Sequence, residues 1–348
     1  MMNVNSSIEE IDLSRTLLHE HGKVNRREET EEIDRNVVLT EPKSCRVFLC
    51  GQQNSGKQTL SSTLSQKFSY MPLTNTGGIK IKTVKDGDTK IPLWNLGNRH
   101  DAIPLHHFMF ASSFLIISSL SRKESAEVED DISYWLKFIV SSSSRARQSM
   151  PPRVTIVLTH YDKIVFPSEL LTQSVNMISE LREKFREYVD LCPNVFPIDA
   201  RSSTSVSALA HHVRATCRSV LERVPKVYHF CNDLVDEIVE WRKENRSRPA
   251  MKWKEFSGLC QVKIPYFRVR TRGDVAERDE ARMKATALCL HDMGEVVFFE
   301  ELGFLIVDCE WFFGEALEHL ITIEDDKRRA FVKRKEFEKI LTNTKILE

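Results

Sequence analysis

Residues 45–60 read CRVFLCGQQNSGKQTL, an apolar strand pattern that runs directly into a glycine-containing turn and then into a helix pattern. Gly51 and Gly56 permit backbone turns that aim successive amides at a phosphate, and Lys57 places an ammonium group beside it. The N-terminal amides and dipole of the helix strengthen this attraction. The sequence therefore predicts a phosphate-binding loop formed by Gly51, Gln52, Gln53, Asn54, Ser55, Gly56, Lys57, Gln58 and Thr59. The competing interpretation is an ordinary strand-to-helix turn with an exposed lysine.

The residue after the lysine departs from the usual pattern of such loops. This position normally offers a hydroxyl group to Mg²⁺, but here it is Gln58. Thr59 comes one step later, so its side chain points about 100° further round the helix and cannot simply replace the missing ligand. The loop therefore predicts phosphate binding with a weakened metal site.

The composition is that of an ordinary globular chain, with 348 residues of which 41% are hydrophobic. The 50 acidic and 50 basic residues balance, so the net charge favours neither nucleic acid nor a membrane surface. The eight cysteines include no C-x-x-C pair and indicate reduced core residues, while the adjacent histidines at 106–107 and 211–212 diverge on helices and do not predict a metal site. Neither a membrane-spanning apolar stretch nor a secretory signal pattern is present. We therefore expect a cytoplasmic protein with no transmembrane segment and no nucleic-acid partner.

The apolar pattern divides the chain into three predicted regions. Residues 1–44 are polar and predict a flexible or partly helical extension, residues 45–223 alternate short strands with helices, and residues 224–348 are mainly helical. The alternation indicates an α/β fold of the P-loop, small-GTPase-like type, with a sheet flanked by helices. The predicted strands are 46–50, 79–84, 91–94, 114–118, 154–158 and 195–198, and the predicted helices are 57–66, 100–110, 130–142, 169–188 and 205–222.

The region after Val224-Pro225 has apolar residues at steps of three and four, which predicts a helix over 227–241. Further helices are predicted at 253–262, 281–291 and 311–321, and a β-hairpin at 295–299 and 304–307. A helix followed by a hairpin is typical of a winged-helix-like unit. Because the charge is balanced, we expect this region to contact proteins rather than DNA.

Asp162 ends the sequence Thr159-His160-Tyr161-Asp162, which follows an apolar run. A carboxylate there can accept hydrogen bonds from the N1 proton and the exocyclic amino group of guanine, whereas adenine presents the opposite polarity. The loop after the last predicted strand is placed to contact the guanine oxygen through its backbone. The predicted guanine-binding residues are Thr159, His160, Asp162, Asp199, Ala200 and Arg201. A surface aspartate that caps a loop is the alternative for Asp162.

The segment between these two sites supplies metal ligands incompletely. Thr76 can offer a hydroxyl group to Mg²⁺, with Thr74 as the alternative. A D-x-x-G motif is expected after the third predicted strand, and its glycine, Gly97, is the residue that senses the γ-phosphate. Counting back from Gly97 places Trp94 where the aspartate belongs. A loop one residue shorter places Asn95 there, which offers only a neutral oxygen.

The residues expected to orient an attacking water are also altered. No glutamine follows Gly97, and Asn98, Arg99 and His100 are imperfect candidates for this role. These departures affect the metal and the water, whereas the features for phosphate and guanine remain. We therefore predict that GTP and GDP bind, that Mg²⁺ binding is weak, and that the chain is at most a slow GTPase.

Several motifs occur in order along the chain: the phosphate loop, Thr76-Gly-Gly-Ile79, Leu93-Trp-Asn-Leu-Gly97, Thr159-His-Tyr-Asp162 and Asp199-Ala-Arg201. Together they resemble the Roc GTPase domain of Roco proteins. Val224-Pro-Lys-Val-Tyr228, Trp253-Lys-Glu-Phe256 and the segments 290–298 and 307–312 resemble the COR segment that accompanies Roc. The phosphate loop with Gln58 is most similar to that of the plant Tornado-type Roco proteins.

The resemblance implies a switch that responds to GTP and GDP and communicates with protein partners through the COR-like region, with a role in developmental signalling. It also implies a homodimer in a longer chain, because residues 224–348 resemble little more than the first half of COR, and the second half carries much of the dimer contact. The alternative hypothesis is a pseudo-GTPase scaffold for protein interaction with a vestigial nucleotide pocket. An ATP-using P-loop enzyme is disfavoured by Asp162 and by the missing acidic residue near Trp94.

Overall fold

The computed structural model describes residues 38–66, 79–96, 112–121, 125–142, 151–164, 167–267, 273–298 and 303–313. They fall into two compact units. The large unit comprises the described residues of Glu41–Pro225 together with Asp292–Gly294 and residues 308–313. The small unit comprises the described residues of Lys226–His291 and Glu295–Val307 together with residues 38–40. The boundaries predicted at residues 44 and 223 stay predictions.

The described strands are β1 (Leu39–Thr40), β2 (Arg46–Cys50), β3 (Lys80–Asp86), β4 (Thr89–Asn95), β5 (Ser112–Ser119), β6 (Arg153–Thr159), β7 (Asp190–Pro197), β8 (Val227–Tyr228), β9 (Ala250–Lys252), β10 (Val297–Phe298) and β11 (Phe304–Ile306). The described helices are α1 (Lys57–Leu64), α2 (Ser125–Ser142), α3 (Pro167–Phe185), α4 (Ser203–Leu221), α5 (His229–Glu244), α6 (Trp253–Lys263), α7 (Gly273–Asp292) and α8 (Cys309–Trp311). Short 3₁₀ turns occupy Tyr161–Lys163 and Pro265–Phe267.

The large unit is built on a six-stranded sheet of order β3-β4-β2-β5-β6-β7. Neighbouring strands are parallel except β3 and β4, which form an antiparallel hairpin. Parallel strands end at a common edge, and in this fold that edge gathers the ligand-binding loops. The loops that follow β2, β6 and β7 therefore lie at the same edge, and these are the loops that carry the predicted phosphate and guanine residues.

Strand β2 lies at the centre of this sheet, and all five of its residues are buried. On one face, Phe48 stacks on Phe114 with ring centroids 5.3 Å apart and meets Trp94 edge-on at 5.7 Å. On the other face, Val47 and Leu49 pack in the core shared with α1 and α4. Burial on both faces explains why β2 reads as a continuous apolar run rather than an alternating one.

Helix α4 covers this second face of the sheet. The Ser202 side chain caps its N-terminus by accepting a hydrogen bond from the Ser205 amide. Its buried residues recur at steps of three and four, the spacing of one helix face. They are Val206, Leu209, Val213, Thr216, Cys217 and Leu221.

The small unit combines three helices with two short antiparallel sheets. Strands β1 and β8 pair with each other, and the other sheet has the order β10-β11-β9. Trp253, at the start of α6, stacks on Phe298 of β10 with ring centroids 5.5 Å apart. Arg248 holds Glu255 through two hydrogen bonds of 2.9 and 2.7 Å, which fixes the turn into α6. This is a mainly helical unit with the predicted hairpin.

The predicted α/β fold class is confirmed, and each of the six predicted strands of the large unit is present. Several boundaries differ. Helices α2 and α7 begin earlier than predicted because their first turns are largely polar, and β7 begins earlier because Pro193 and Asn194 interrupt its apolar pattern. Strands β8 and β9 were not predicted, since two or three residues cannot show alternation. Leu39–Thr40 form a strand rather than part of a flexible or helical extension. Predicted helix 100–110 and residues 314–321 lie outside the described residues.

A membrane-spanning helix, long enough and apolar enough, does not occur in the described segments.

Arg46 is the charged residue of β2, and it is only 1% exposed. Its Nη2 donates a 2.7 Å hydrogen bond to the Asp292 carbonyl. Gly294 lies close by with a φ of +72°, and a Cβ there would lie 1.9 Å from Arg46 Nη1. Both the left-handed backbone and the lack of space therefore require glycine at this position.

We expect Gly294→Ala to destabilise the large unit more than Gly87→Ala. Both glycines have a positive φ, +72° and +61°, but only Gly87 has open space around it. Backbone strain costs each variant about 1–2 kcal/mol. Gly294→Ala also displaces Arg46, and a hydrogen bond from a charged group contributes about 1.5–3 kcal/mol more. Denaturant titration of both variants measures the two losses in free energy of unfolding, and equal losses would contradict the close approach.

Candidate nucleotide-binding site

The phosphate loop is a tight turn between β2 and α1. Gly51 has a φ of +152°, and a Cβ there would lie 2.2 Å from the carbonyl oxygen of Ile117 in β5. Gly56 has a φ of +90° and Asn54 one of +62°, a region in which asparagine is tolerated better than most residues. The Ser55 amide closes the turn by donating to the Gln52 carbonyl at 3.2 Å. The glycine spacing read from the sequence thus corresponds to real conformational requirements.

Lys57 is held inside this loop and is only 7% exposed. Its Nζ donates to the carbonyls of Gly51 at 2.8 Å and Gln52 at 2.7 Å. Gly56 precedes α1, and no side chain in the described part of the chain caps this helix N-terminus. The N-terminus of a helix beside a buried ammonium group forms an environment that attracts an anion.

Thr159 connects the loop after β6 to the phosphate loop. Its side chain is fully buried, and its Oγ1 donates to the Ser55 carbonyl at 2.6 Å. His160 follows with a φ of +59°, and its Nδ1 lies 2.8 Å from Ser119 Oγ at the end of β5. The next residues form the 3₁₀ turn that carries Asp162. Three predicted guanine-binding residues therefore lie on one short, anchored segment.

The loop after β7 presents a single free amide. Thr63 of α1 donates to the Ala200 carbonyl at 2.6 Å. The amides of Asp199, Arg201 and Ser202 donate to groups within the loop and α4 at 3.0, 3.0 and 3.1 Å. The Ala200 amide, in contrast, has no hydrogen-bond partner among the described residues. It is therefore available to an acceptor such as a ring carbonyl.

Arg201 connects the loop after β6 to the loop after β7. Its Nη2 lies 2.8 Å from Asp162 Oδ2, and its Nε lies 3.2 Å from Asp199 Oδ1. The hydrogen bond from the Arg201 amide, together with its guanidinium group, lowers the pKa of Asp199. Asp199 is therefore held as an anion beside the Arg201 guanidinium group.

Two further titratable groups flank the phosphate loop. Burial, assisted by the nearby Lys163, lowers the pKa of His160. The imidazole is therefore held in its neutral form near neutral pH. Burial raises the pKa of the Cys50 thiol to about 12, so this cysteine, directly before the loop, stays protonated and unreactive.

The described residues at the end of β4, Trp94, Asn95 and Leu96, include no carboxylate that could hold a metal ion. Trp94 is 1% exposed, and its ring meets Phe48 at 5.7 Å and Phe313 at 5.4 Å. The Oδ1 of Asn95 is buried without a hydrogen-bond partner among the described residues, but it is neutral. Throughout the described ranges, no group of three or more His, Cys, Asp or Glu residues is arranged to hold a metal ion. These residues do not fit Mg²⁺, which prefers carboxylates and near-octahedral oxygen ligands.

The remaining predicted site residues, Thr76, Gly97, Asn98, Arg99 and His100, lie outside the described residues. Sequence reasoning missed two contacts of the site. Thr63 supports Ala200 from 137 positions away, and Gln52 of the phosphate loop donates to Asp131, a buried residue of α2 that is 79 positions away. Neither residue carries a local sequence signal, since both act through the packing of distant elements.

The sheet order, the loop between β2 and α1 and the anchored loops after β6 and β7 define a small-GTPase-like α/β fold followed by a COR-like unit. The solved structure of Methanosarcina barkeri Roco2 RocCORdC bound to GDP has this fold, with a TM-score of 0.55 and 18% sequence identity. The similarity covers 88% of this chain and 85% of that one. No family model matches the chain.

Protein TORNADO 1 of Arabidopsis thaliana is 45% identical to this chain over 388 aligned positions, which cover 99% of the chain and 28% of that protein. The probable serine/threonine-protein kinase pats1 of Dictyostelium discoideum is 22% identical over 300 positions, which cover 76% of this chain and 8% of that protein. The chain thus spans less than a third of the length of either relative. The resemblance to Roco proteins, and among them to the plant Tornado type, is confirmed.

We expect His160 to make the stability of the large unit depend on pH. Because the pKa of His160 is lowered in the folded chain, the unfolded chain binds this proton more readily. The stabilisation from neutral His160 is therefore complete above the unfolded pKa of about 6.5 and is lost as the pH falls below it. His160→Asn keeps a residue that tolerates the left-handed backbone. Denaturant titrations at pH 7.5 and 5.5 should show a smaller loss of stability in the variant than in the parent chain, and equal losses would contradict the prediction.

Proposed function

We propose that this chain is a guanine-nucleotide-binding regulatory switch of the Roc–COR type with weak or absent GTP hydrolysis. The observation that carries the proposal is the hydrogen bond from Thr159 to the Ser55 carbonyl, which joins the phosphate loop to the loop that carries Asp162. A nucleotide has a phosphate end and a base end, and this contact fixes the distance between the groups suited to each.

The phosphate end of the ligand would lie in the loop between β2 and α1. Lys57 is already positioned there by two backbone carbonyls, so little conformational entropy is lost when a phosphate replaces water beside it. The amides at the start of α1 supply donors for the phosphate oxygens. This arrangement recognises phosphate and does not by itself select a base.

The base end would lie between the loops after β6 and β7. Asp162 is an acceptor for the N1 proton and the amino group of guanine, and the Ala200 amide is a donor for the guanine O6. Adenine has the reverse polarity at N1 and C6, so it would leave both groups unpaired, which costs about 1–3 kcal/mol for each. The polarity of these two groups therefore favours guanine over adenine.

The proposed weakness in hydrolysis rests on the residues near β4. Trp94 occupies a position where a metal-binding carboxylate is expected, and its ring is enclosed by Phe48 and Phe313. Gln58 lacks the hydroxyl group of a metal ligand. Without a well-held cation, the charge that develops on the γ-phosphate in the transition state is poorly stabilised. Binding is less affected, since Lys57 and the helix amides remain.

The cellular part of the proposal follows from the relatives. Contact with protein partners through the COR-like region, homodimerisation in a longer chain, a cytoplasmic location and a role in developmental signalling are all proposed. The share of Protein TORNADO 1 that the chain covers, 28%, leaves most of that protein outside the similarity.

We expect Asp162→Asn to change the preferred base from guanine to xanthine. The amide of asparagine donates a hydrogen bond to the C2 oxygen of xanthine, whereas it presents a donor to the amino group of guanine. The affinity for GDP should fall about tenfold or more, and that for xanthosine diphosphate should rise. Calorimetric titration of both nucleotides with the parent chain and the variant measures the change. Unaltered GDP affinity would remove Asp162 from the base site.

We expect GTP to bind without Mg²⁺ and to remain largely intact. A hundredfold excess over Kd should raise the free energy of unfolding by about 2.7 kcal/mol, in EDTA as well as in Mg²⁺. Single-turnover analysis should give hydrolysis below about 3 × 10⁻⁴ s⁻¹, the intrinsic rate of a complete switch GTPase. Absence of stabilisation by either GTP or GDP would favour the pseudo-GTPase scaffold, and ordinary Mg²⁺-dependent turnover would contradict the weakened chemistry.

A further inference from the structure

Arg201 links the two acidic residues of the base-side loops in an asymmetric way. It is anchored to Asp199 by its own amide at 3.0 Å and its Nε at 3.2 Å, both to Oδ1, with Nη2 at 3.5 Å from Oδ2. Toward Asp162 it makes one contact, from Nη2 to Oδ2 at 2.8 Å. Asp199 is itself fixed, because its amide donates to Ser205 Oγ at 3.0 Å. The linkage therefore runs from a fixed carboxylate, through the guanidinium, to the carboxylate of the base site.

We propose that Arg201 is a positioning residue that determines guanine specificity: Asp199 holds its guanidinium group, which orients the Asp162 carboxylate toward the donors of the base. This inference rests on the proposed function, because it assumes that guanine is the ligand. The proposed role is indirect, because Arg201 acts through Asp162 and need not touch the base.

The number of acceptor sites on Asp162 is compatible with this role. An ionised carboxylate has about four lone-pair sites on two oxygens. Arg201 uses one of them, so the N1 proton and the amino group of guanine can still be accepted. The Asp162 side chain is 28% exposed, and without Arg201 it is free to rotate among its rotamers. Holding it in place removes an entropic cost that the ligand would otherwise meet on binding.

Arginine suits this role because its planar fork presents several donors in fixed directions, whereas lysine offers a single point charge. One guanidinium group can therefore bond Asp199 and Asp162 at the same time. The Arg201 side chain is 66% exposed, so the pair resembles an exposed ion pair in strength. Loss of this ion pair should weaken the binding of GDP about twofold to fivefold and should not abolish it.

The test compares GDP with inosine diphosphate in calorimetric titrations of the full chain. Inosine diphosphate lacks the amino group, so it makes one hydrogen bond to Asp162 where GDP makes two. Arg201→Met should weaken GDP binding about twofold to fivefold, the range for an exposed ion pair. It should weaken inosine diphosphate less, so that the preference for GDP falls. General loosening of the fold would weaken both ligands equally.

Two further variants separate positioning from charge alone. Asp199→Asn retains the oxygen that accepts from the Arg201 amide but removes the charge that holds the guanidinium. It should act in the same direction as Arg201→Met, and the double variant should be no worse than Arg201→Met alone. Arg201→Lys keeps the charge without the fork and should not restore the preference for GDP.

Arg218→Met is the matched control. Arg218 has a similar exposure, 62%, and its Nη2 lies 2.7 Å from Asp86 Oδ2. Asp86 ends β3 far from the phosphate loop, since the opposite end of that strand, Lys80, pairs with Asn95. The control should bind GDP and inosine diphosphate as the parent chain does.

Each remaining outcome would overturn the inference. Tighter GDP binding by Arg201→Met would mean that Arg201 competes with the base, and an unchanged or equally reduced affinity for both ligands would mean that it does not orient Asp162. Full recovery of the preference for GDP in Arg201→Lys would mean that Arg201 acts through its charge alone. If the parent chain binds no guanine nucleotide, the proposed function fails and this inference fails with it. If the parent chain binds GDP but the variants do not show the expected changes in affinity, the proposed function stands and this inference alone fails.

Discussion

The structure of the candidate site depends on the hydroxyl group of Thr159. This buried group donates to the Ser55 carbonyl at 2.6 Å, and its side chain also lies where a Cβ on Gly56 would be 3.4 Å away. The end of β6 therefore sets the path of the phosphate loop and is in turn held by it. The segment that carries His160 and Asp162 is placed relative to the phosphate loop through this contact. A valine of similar shape would leave the Ser55 carbonyl without its donor in a fully buried place.

The part of this site that could be predicted is the part with local sequence signals. The buried run before Gly51, the glycine spacing and the lysine identified β2, the phosphate loop and α1, because each feature reflects a requirement within a few residues. The position of Asp162 after β6 was predicted in the same way, from a motif at a strand end. The contacts of Thr63 and Asp131 could not be found, since they join elements 137 and 79 positions apart through packing. Strands β8 and β9 were missed because runs of two and three residues are too short to establish an alternating pattern.

In the proposed function, nucleotide binding and hydrolysis depend on different residues, so the two can change independently. The groups proposed for phosphate and base are backbone amides, the buried ammonium group of Lys57 and the carboxylate of Asp162, and several of them are fixed by hydrogen bonds of the fold itself. Hydrolysis of GTP needs in addition a cation and an oriented water. The proposed weakening of these two features would leave the groups proposed for binding intact. The ion pairs of Arg201 join two residues proposed for the base, so we expect them to affect the choice of base rather than the rate of hydrolysis.

Trp94 has become part of the core, and this limits how the chain can change. Its ring fills the space between Phe48 and Phe313, and Phe48 in turn stacks on Phe114. An aspartate at this position would leave a cavity among three aromatic rings and would bury a charge beside them. A metal-binding carboxylate at this position would therefore require compensating changes in several of the surrounding aromatic residues. The packing of Trp94 against Phe48 and Phe313 is thus a constraint that acts on the core and on the proposed chemistry at the same position.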